Sequence, residues 1–300
     1  EFLQSLREQI KSGTVTEQEP MSRHTSFSIG GPADVFVQPA TKEEIKNAIF
    51  CAKEAGVPFF VMGNGSNLLV SDEGFRGMII QIGKNFQEIS VQDTVIEVQA
   101  GALLSRTARA AWNAGLTGFE FAAGIPGTTG GAVAMNAGAY GGEVKQIVES
   151  AEVLTSEGEV LNLTNEELGM GYRTSVIAKN DYVALSAVLK LEKGDRQEIR
   201  AYMEDLKERR VTKQPLEFGS AGSTFKRPEG YFAGKLIQDS GMQGYRVGDA
   251  QVSEKHCGFV INRGNATAAE VMQLMKDVAD RVEEKFGVRL EPEVRRIGEF

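Results

Sequence analysis

The sequence predicts a protein that mixes helices with strands and is built from more than one packed domain. Three observations carry this reading. Residues 35–62 read strand, helix, strand; residues 150–163 read as a β-hairpin; and the pattern changes character near Gly194. A chain of 300 residues suits one large domain or two or three packed ones, and the change at Gly194 favours the latter.

Taken in order, residues 1–20 read as a short amphipathic helix, with Leu3, Leu6 and Ile10 on one side, and a loop. Residues 35–38 form a strand that Pro39 ends. Thr41 then caps a helix, with Glu44 three places on as a capping box, and Ile45, Ala48, Ile49 and Ala52 make its buried stripe. Gly56 and Pro58 stop that helix, and residues 59–62 follow as a strand. Further strands are expected at 78–82 and 95–99, then a helix over 104–113 that carries Trp112 and ends at Gly115. The hairpin pairs 150–155 with 159–163 about Ser156-Glu157-Gly158. Residues 165–168 resemble a short helix, and 182–191 a strand.

Beyond Gly194, a helix over 196–210 turns Ile199, Met203 and Leu206 inward. A helix over 233–240 and strands at 250–252 and 258–262 come next. Thr267 and Glu270 form a second capping box; its helix buries Val271, Leu274, Met275, Val278 and Val282 and stops at Gly287. A last strand over 288–297 would set Glu291, Glu293 and Arg295 on one face, opposite Arg296.

Composition narrows the function. The net charge of −8 argues against nucleic acid as a partner, yet residues 207–263 hold ten Lys and Arg against six acids, a basic segment to which an anion would be steered. No run of 18 apolar residues occurs, and the charged first residues lack the apolar core of a signal peptide, so a cytoplasmic protein without a membrane anchor is expected. Cys51 and Cys257 stand far apart, and the histidines number two, so neither a disulfide framework nor a metal site is expected.

Two glycine-rich stretches carry the candidate chemistry. Gly63-Asn64-Gly65-Ser66-Asn67 follows a strand directly and offers amides to a diphosphate. It is not the G-x-G-x-x-G fingerprint, because Leu68 stands at the third glycine position, and no G-x-x-x-x-G-K occurs. The 21 residues from Ala122 to Gly142 include seven Gly and six Ala and no charge; such a stretch builds little core and suits close backbone approach to a flat ligand.

Five segments in order resemble one family: Gly63-Asn64-Gly65-Ser66-Asn67-Leu68-Leu69, Ala123-Gly124-Ile125-Pro126-Gly127 through Asn136-Ala137-Gly138-Ala139-Tyr140-Gly141, Gly171-Tyr172-Arg173-Thr174-Ser175, Gly222-Ser223-Thr224-Phe225-Lys226 and Glu291-Pro292-Glu293-Val294-Arg295. They resemble the UDP-N-acetylenolpyruvoylglucosamine reductases, flavoenzymes of bacterial cell-wall precursor synthesis, in the shorter form that lacks an inserted substrate-binding loop. The resemblance implies an α+β fold: an FAD-binding domain of the vanillyl-alcohol oxidase (PCMH) type, made of two α+β subdomains, over 21–193, then a smaller α+β substrate-binding domain over 194–300. Residues 1–20 would be an N-terminal helix and lead-in.

It further implies non-covalent FAD, held by Gly63, Asn64, Gly65, Ser66, Asn67 and Leu68 together with Gly124, Ile125, Pro126, Gly127, Thr128, Gly130, Gly131, Asn136, Gly138 and Ala139, and NADPH as co-substrate. Arg173, Ser223 and Glu293 match the family's catalytic residues: an arginine for the substrate carboxylate and the charge that grows on it, a serine proton donor, and a glutamate that would donate a hydrogen bond in its protonated form. Lys213, Lys226 and Arg227 are expected on the substrate, UDP-N-acetylglucosamine enolpyruvate, and His256 is expected to be structural. A monomer is implied. Rival readings are an oxidase of alcohols or sugars in the same flavin superfamily and a nucleotide-binding module without catalysis. Many such oxidases attach FAD through a histidine near the first glycine loop, and residues 57–72 contain none.

Overall fold

The computed structural model describes residues 1–300 and divides them into two compact units whose segments alternate along the chain. Residues 1–16, 36–64 and 78–209 form the first, and residues 17–35, 65–77 and 210–300 the second.

The first unit holds helices α1 (Phe2–Gln9), α2 (Lys42–Ala55), α3 (Leu104–Asn113), α4 (Thr129–Met135) and α5 (Val176–Lys179), and most of α6 (Arg196–Lys213), which continues into the second. Its main sheet is antiparallel and has the strand order Val160–Thr164, Val148–Leu154, Val183–Lys190, Val95–Gln99, Ile89–Gln92. Alternation along these strands turns Ile96, Val98, Val153, Ala187 and Leu189 inward. The stripe Leu104, Ala108 and Ala111 of α3 and Ala132 and Val133 of α4 complete that core. Strand Phe59–Met62 runs parallel to residues 78–81 of a second sheet.

The second unit is organised on an antiparallel sheet in the order Gly219–Ser223, Phe259–Asn262, Ala250–Val252, Arg246–Val247. Against it lie α7 (Ala233–Asp239) and α8 (Ala268–Phe286), whose Val271, Leu274, Met275, Val278 and Val282 are buried as the sequence pattern predicts. The Thr267/Glu270 capping box is fully formed, and the Asp72 carboxylate accepts from the next two amides of α8, Ala268 N at 2.8 Å and Ala269 N at 3.0 Å. Gly287 ends the helix at φ 68°, a left-handed conformation that glycine takes without strain.

Several expectations need correction. Residues Thr14–Pro20 form a strand where a loop is expected. Residues 165–168 are a turn, and the short helix lies at Val176–Lys179 instead. The expected final strand is reduced to Arg295–Ile297, paired in parallel with Leu68–Val70. Residues 288–294 do not alternate, since Leu290 and Val294 are buried on a four-residue spacing while Glu291 and Pro292 are exposed, so period-2 geometry does not place Glu291 and Glu293. The Thr41 box is half made. Thr41 accepts from Glu44 N at 3.0 Å, but the Glu44 carboxylate turns away to Lys11 N at 2.6 Å, Ser12 N at 2.8 Å, Gly13 N at 3.0 Å and Ala40 N at 2.9 Å.

Glu44 is therefore a buried anion that gathers backbone amides from two segments. Burial alone raises its pKa, but the four amide bonds outweigh that and hold it below the ordinary 4.5. The stabilisation is present above the unfolded value and is lost as pH falls through the lower, folded one. Glu44→Ala should cost about 3 kcal/mol at pH 7, read by denaturant unfolding, because it strands amides that a charged acceptor had satisfied. The gap between the variant and the parent protein should close as the pH is taken well below 4.5; a gap that persists there would mean the carboxylate is not what the amides bind.

Candidate active site

The loop after strand Phe59–Met62 turns its carbonyls inward. Gly63 O accepts from Gln81 Nε2 at 3.1 Å, Gly65 O from Ser26 N at 3.1 Å and Asn67 O from Arg295 N at 2.9 Å. With those oxygens tied down, the amides of Asn64, Gly65, Ser66 and Asn67 donate to no protein acceptor. Gly65 is buried, so its amide is an orphan of the kind a bound anion satisfies. Its φ of +66° and the 2.2 Å that a Cβ would leave to His24 O make glycine the residue that fits. At Gly63 a Cβ would stand 2.5 Å from Thr128 Oγ1, so the first glycine loop and the start of α4 touch. Side chains in the loop have separate duties: Asn67 Nδ2 donates to Glu293 O at 3.2 Å, and Leu68 is buried in the strand paired with Arg295.

The central stretch is less open than its composition suggests. Gly124, Ile125, Pro126 and Gly127 form a loop whose last carbonyl accepts from Leu104 N at 3.0 Å. Thr128 caps α4, accepting from Gly131 N at 3.3 Å. A third of the stretch is thus a helix, and Ala132, Val133 and Ala137 join the hydrophobic core, a contribution that a scarcity of large side chains concealed. The first amides of α4 are spent internally, Thr129 N on Ala102 O and Gly130 N on Ala100 O, and a Cβ on Gly130 would lie 2.8 Å from that of Ala100. Gly138–Ala139 pairs with Gly142–Glu143 as a minimal hairpin.

Asn136 ends α4 in the left-handed conformation, φ 47°, and is buried. Its Nδ2 donates to Glu143 Oε2 and to Gly171 O, both at 2.9 Å, and its Oδ1 accepts from Lys145 N at 2.8 Å. The side chain expected to touch a cofactor has no donor left for one. Arg173 sits at the tip of the turn Gly171–Thr174, at φ 55°, with its guanidinium 5.8 Å from the Tyr172 ring. Arg173, Tyr172, Asn136, Gly138 and Glu143 line a cleft of about 280 Å³ in the first unit.

In the second unit Ser223 ends strand Gly219–Ser223 and faces a cleft of about 480 Å³ with Arg227, Phe232, Lys235, Glu254 and His256. Buried Thr224 fixes it there. Thr224 N donates to Gly258 O at 2.9 Å, Thr224 Oγ1 accepts from Val260 N at 3.0 Å, and Thr224 O accepts from Glu293 N at 2.8 Å. The next residues repeat the pairing, with Lys226 N donating to Glu291 O at 2.8 Å. Ser223 and Glu293 are therefore brought onto adjacent backbone. Arg227 lies with its guanidinium 4.1 Å from the Phe232 ring, and Lys226 is exposed beside it. Exposed Lys213, two residues past the Val211 carbonyl to which Lys255 Nζ donates, is not on the cleft wall.

His256 has more place in the site than the sequence suggests, since it shares the cleft with Ser223. Its Nδ1 accepts from Gly258 N at 3.0 Å, which puts the proton of the neutral ring on Nε2. Burial pushes its pKa below the ordinary 6.5.

The comparisons with known proteins fit this arrangement. A family model described as FAD binding domain matches residues 33–164, and one described as UDP-N-acetylenolpyruvoylglucosamine reductase, C-terminal domain, matches residues 214–297. The UDP-N-acetylenolpyruvoylglucosamine reductase of Alkaliphilus oremlandii is 55% identical over 295 residues, 98% of this chain and 97% of that protein. That of Clostridioides difficile is 53% identical over 281 residues, 94% of this chain and 92% of that protein. The crystal structure of UDP-N-acetylenolpyruvylglucosamine reductase from Thermus caldophilus matches with a TM-score of 0.81 at 37% identity, covering 95% of this chain and 100% of that one. The expected α+β class, an FAD-binding domain ahead of a distinct C-terminal domain, is borne out.

The state of His256 is directly measurable. Nitrogen-15 NMR at pH 7 should show a neutral ring protonated on Nε2, with a titration midpoint below 6.5. Because the unfolded chain then binds the proton more tightly, His256 should lower stability as pH falls below about 6.5. A midpoint above 6.5 would place a negative group against the ring and overturn the reading.

Proposed function

This chain belongs to the UDP-N-acetylenolpyruvoylglucosamine reductase family, and from that premise we propose that it reduces the enolpyruvyl double bond of UDP-N-acetylglucosamine enolpyruvate with NADPH. The product, UDP-N-acetylmuramate, would feed peptidoglycan synthesis in the cytoplasm. The observation that carries the reading is the Thr224 clamp, which holds the backbone of Glu293 next to that of Ser223, itself on a cleft rimmed by Arg227.

FAD is the family's cofactor, and the amides of residues 64–67, which meet no protein acceptor, fit its diphosphate. We assign its contacts to the loop at 63–67 and to backbone of 124–131 and 138–139, within a flavin-holding part over 21–193; the substrate-holding part is 194–300. When bound and reduced by NADPH, it supplies a hydride to the terminal carbon of the vinyl ether.

Hydride addition leaves negative charge that the neighbouring carboxylate shares. Arg173 meets it with a planar fork suited to a carboxylate and to the enolate growing on it. Ser223 delivers the proton to the carbon beside the carboxylate, a task a weak acid can perform because the acceptor is strongly basic. Lys226 and Arg227 lower the cost of the alkoxide left on Ser223, and Glu293 adds a hydrogen bond to the enolate. Arg227, on the cleft wall, and Lys213, off it, are assigned to the diphosphate or uridine region of the substrate. The protein acts as a monomer in this reading, and the absence of a histidine in 57–72 speaks against the oxidase that attaches its flavin covalently.

The test separates the two halves of the reaction. Anaerobic NADPH should bleach the oxidised-flavin absorbance, and the enolpyruvyl nucleotide should restore it without oxygen. Ser223→Ala should slow that restoration by about 10³-fold, the range for loss of a proton donor. Colour that returns only on admitting air would move the oxidase reading to the front.

A further inference from the structure

We propose that Asn136 is a positioning residue for Arg173: its side-chain amide holds the turn that presents the guanidinium. The inference rests on the role given to Arg173 above and adds a residue to it. The left-handed backbone at Arg173, φ 55°, is strained for a non-glycine residue and persists only where the surroundings over-determine it. Tyr172 beside it is 76% exposed, so burial of the Tyr172 ring does not supply that determination.

The two ends of the turn do. Gly171 and Thr174 close it on each other, Gly171 N donating to Thr174 O at 3.0 Å. Asn136 Nδ2 donates to Gly171 O at 2.9 Å on one side, and fully buried Ser175 Oγ donates to Ala134 O at 2.6 Å on the other. Both anchors lead to the C-terminal end of α4. The strained tip is thus fastened, fore and aft, to one short helix.

Asn136 is also more than a helix stop. A left-handed helix terminus asks for glycine, and asparagine is the costlier choice unless its side chain is used. Here all of it is used. The second Nδ2 proton goes to Glu143 Oε2, and Oδ1 takes Lys145 N, so the amide joins the Arg173 turn to a carboxylate on the wall of the same cleft. Glycine at 136 would keep the backbone and release the turn.

That substitution is the experiment. In Asn136→Gly, restoration of the flavin absorbance by UDP-N-acetylglucosamine enolpyruvate should fall roughly 10²-fold in kcat with a smaller change in KM, the size expected when a reacting group is misplaced by about 1 Å. In an Arg173→Lys background the same change should cost less than about threefold, since its effect runs through the guanidinium. Equal losses in the two backgrounds, or no loss in the parent, overturn the inference. If the parent protein itself does not respond to the nucleotide, the function reading fails, and amide exchange still decides this one. The Gly171 amide should exchange at least tenfold faster in Asn136→Gly while those of α3 stay protected. Unchanged Gly171 exchange overturns it. Should Asn136→Gly not fold, Asn136→Asp keeps the acceptor for Lys145 N, replaces the donor to Gly171 O by a repelling carboxylate, and answers the same questions.

Discussion

Thr224 joins three segments of the second unit, and nearly every distance that matters there follows from its bonds. Its amide is set against Gly258, its hydroxyl against Val260 and its carbonyl against Glu293. A residue 1% exposed has no water to fall back on, so each of these groups must be met by protein or be left at a cost of about 1–3 kcal/mol. The geometry is correspondingly fixed. Ser223 before it and Phe225 after it have no freedom to drift from the segment that carries Glu293, and the cleft wall from Gly258 back to Glu254 is set by the same register.

The glycine-rich backbone serves two opposite ends. Around residues 63–67 the carbonyls are pinned and the amides turned out, so the chain shows a ligand its donors. Around residues 128–136 the donors are consumed, and the small side chains let a helix sit within van der Waals reach of Ala100 and bury alanines in the core. Composition cannot tell these apart. What separates them is which of the two polar groups of each peptide finds a partner inside the protein, a property of the folded chain.

The same distinction explains what could be read from the residues. Helices α2 and α8 were legible because stripe, cap and stop are all local, and α3 because its stripe is regular. The α4 helix was hidden, since Gly and Ala carry no apolar period. Residues 288–294 looked like a strand because their charges alternate, but Glu291, Glu293 and Val294 are pulled toward residues 224–226 by bonds that no local pattern announces. The candidate site was legible residue by residue only through resemblance to a family. That Ser223 and Glu293 stand on adjacent backbone, that Asn136 has its amide spoken for, and that His256 shares the cleft are tertiary facts.

The interleaving of segments has a further consequence, for how the chain comes to be folded. Asn67 and the Glu293 carbonyl it meets are 226 residues apart in sequence, and the strand at Leu68–Val70 has its parallel partner at Arg295–Ile297. Closing so long a loop costs only modest extra entropy, about 0.6 kcal/mol per doubling, but it delays the moment at which early residues can be satisfied. During synthesis at about 5–20 residues per second, the segment 65–77 waits on the order of ten seconds or more for its partners. Leu69 and Val70, fully buried in the finished protein, are apolar strand edge for all of that time. The second unit is thus complete only after residues 295–297 have been made, and until then residues 68–70 are an unpaired β-edge open to pairing with another chain.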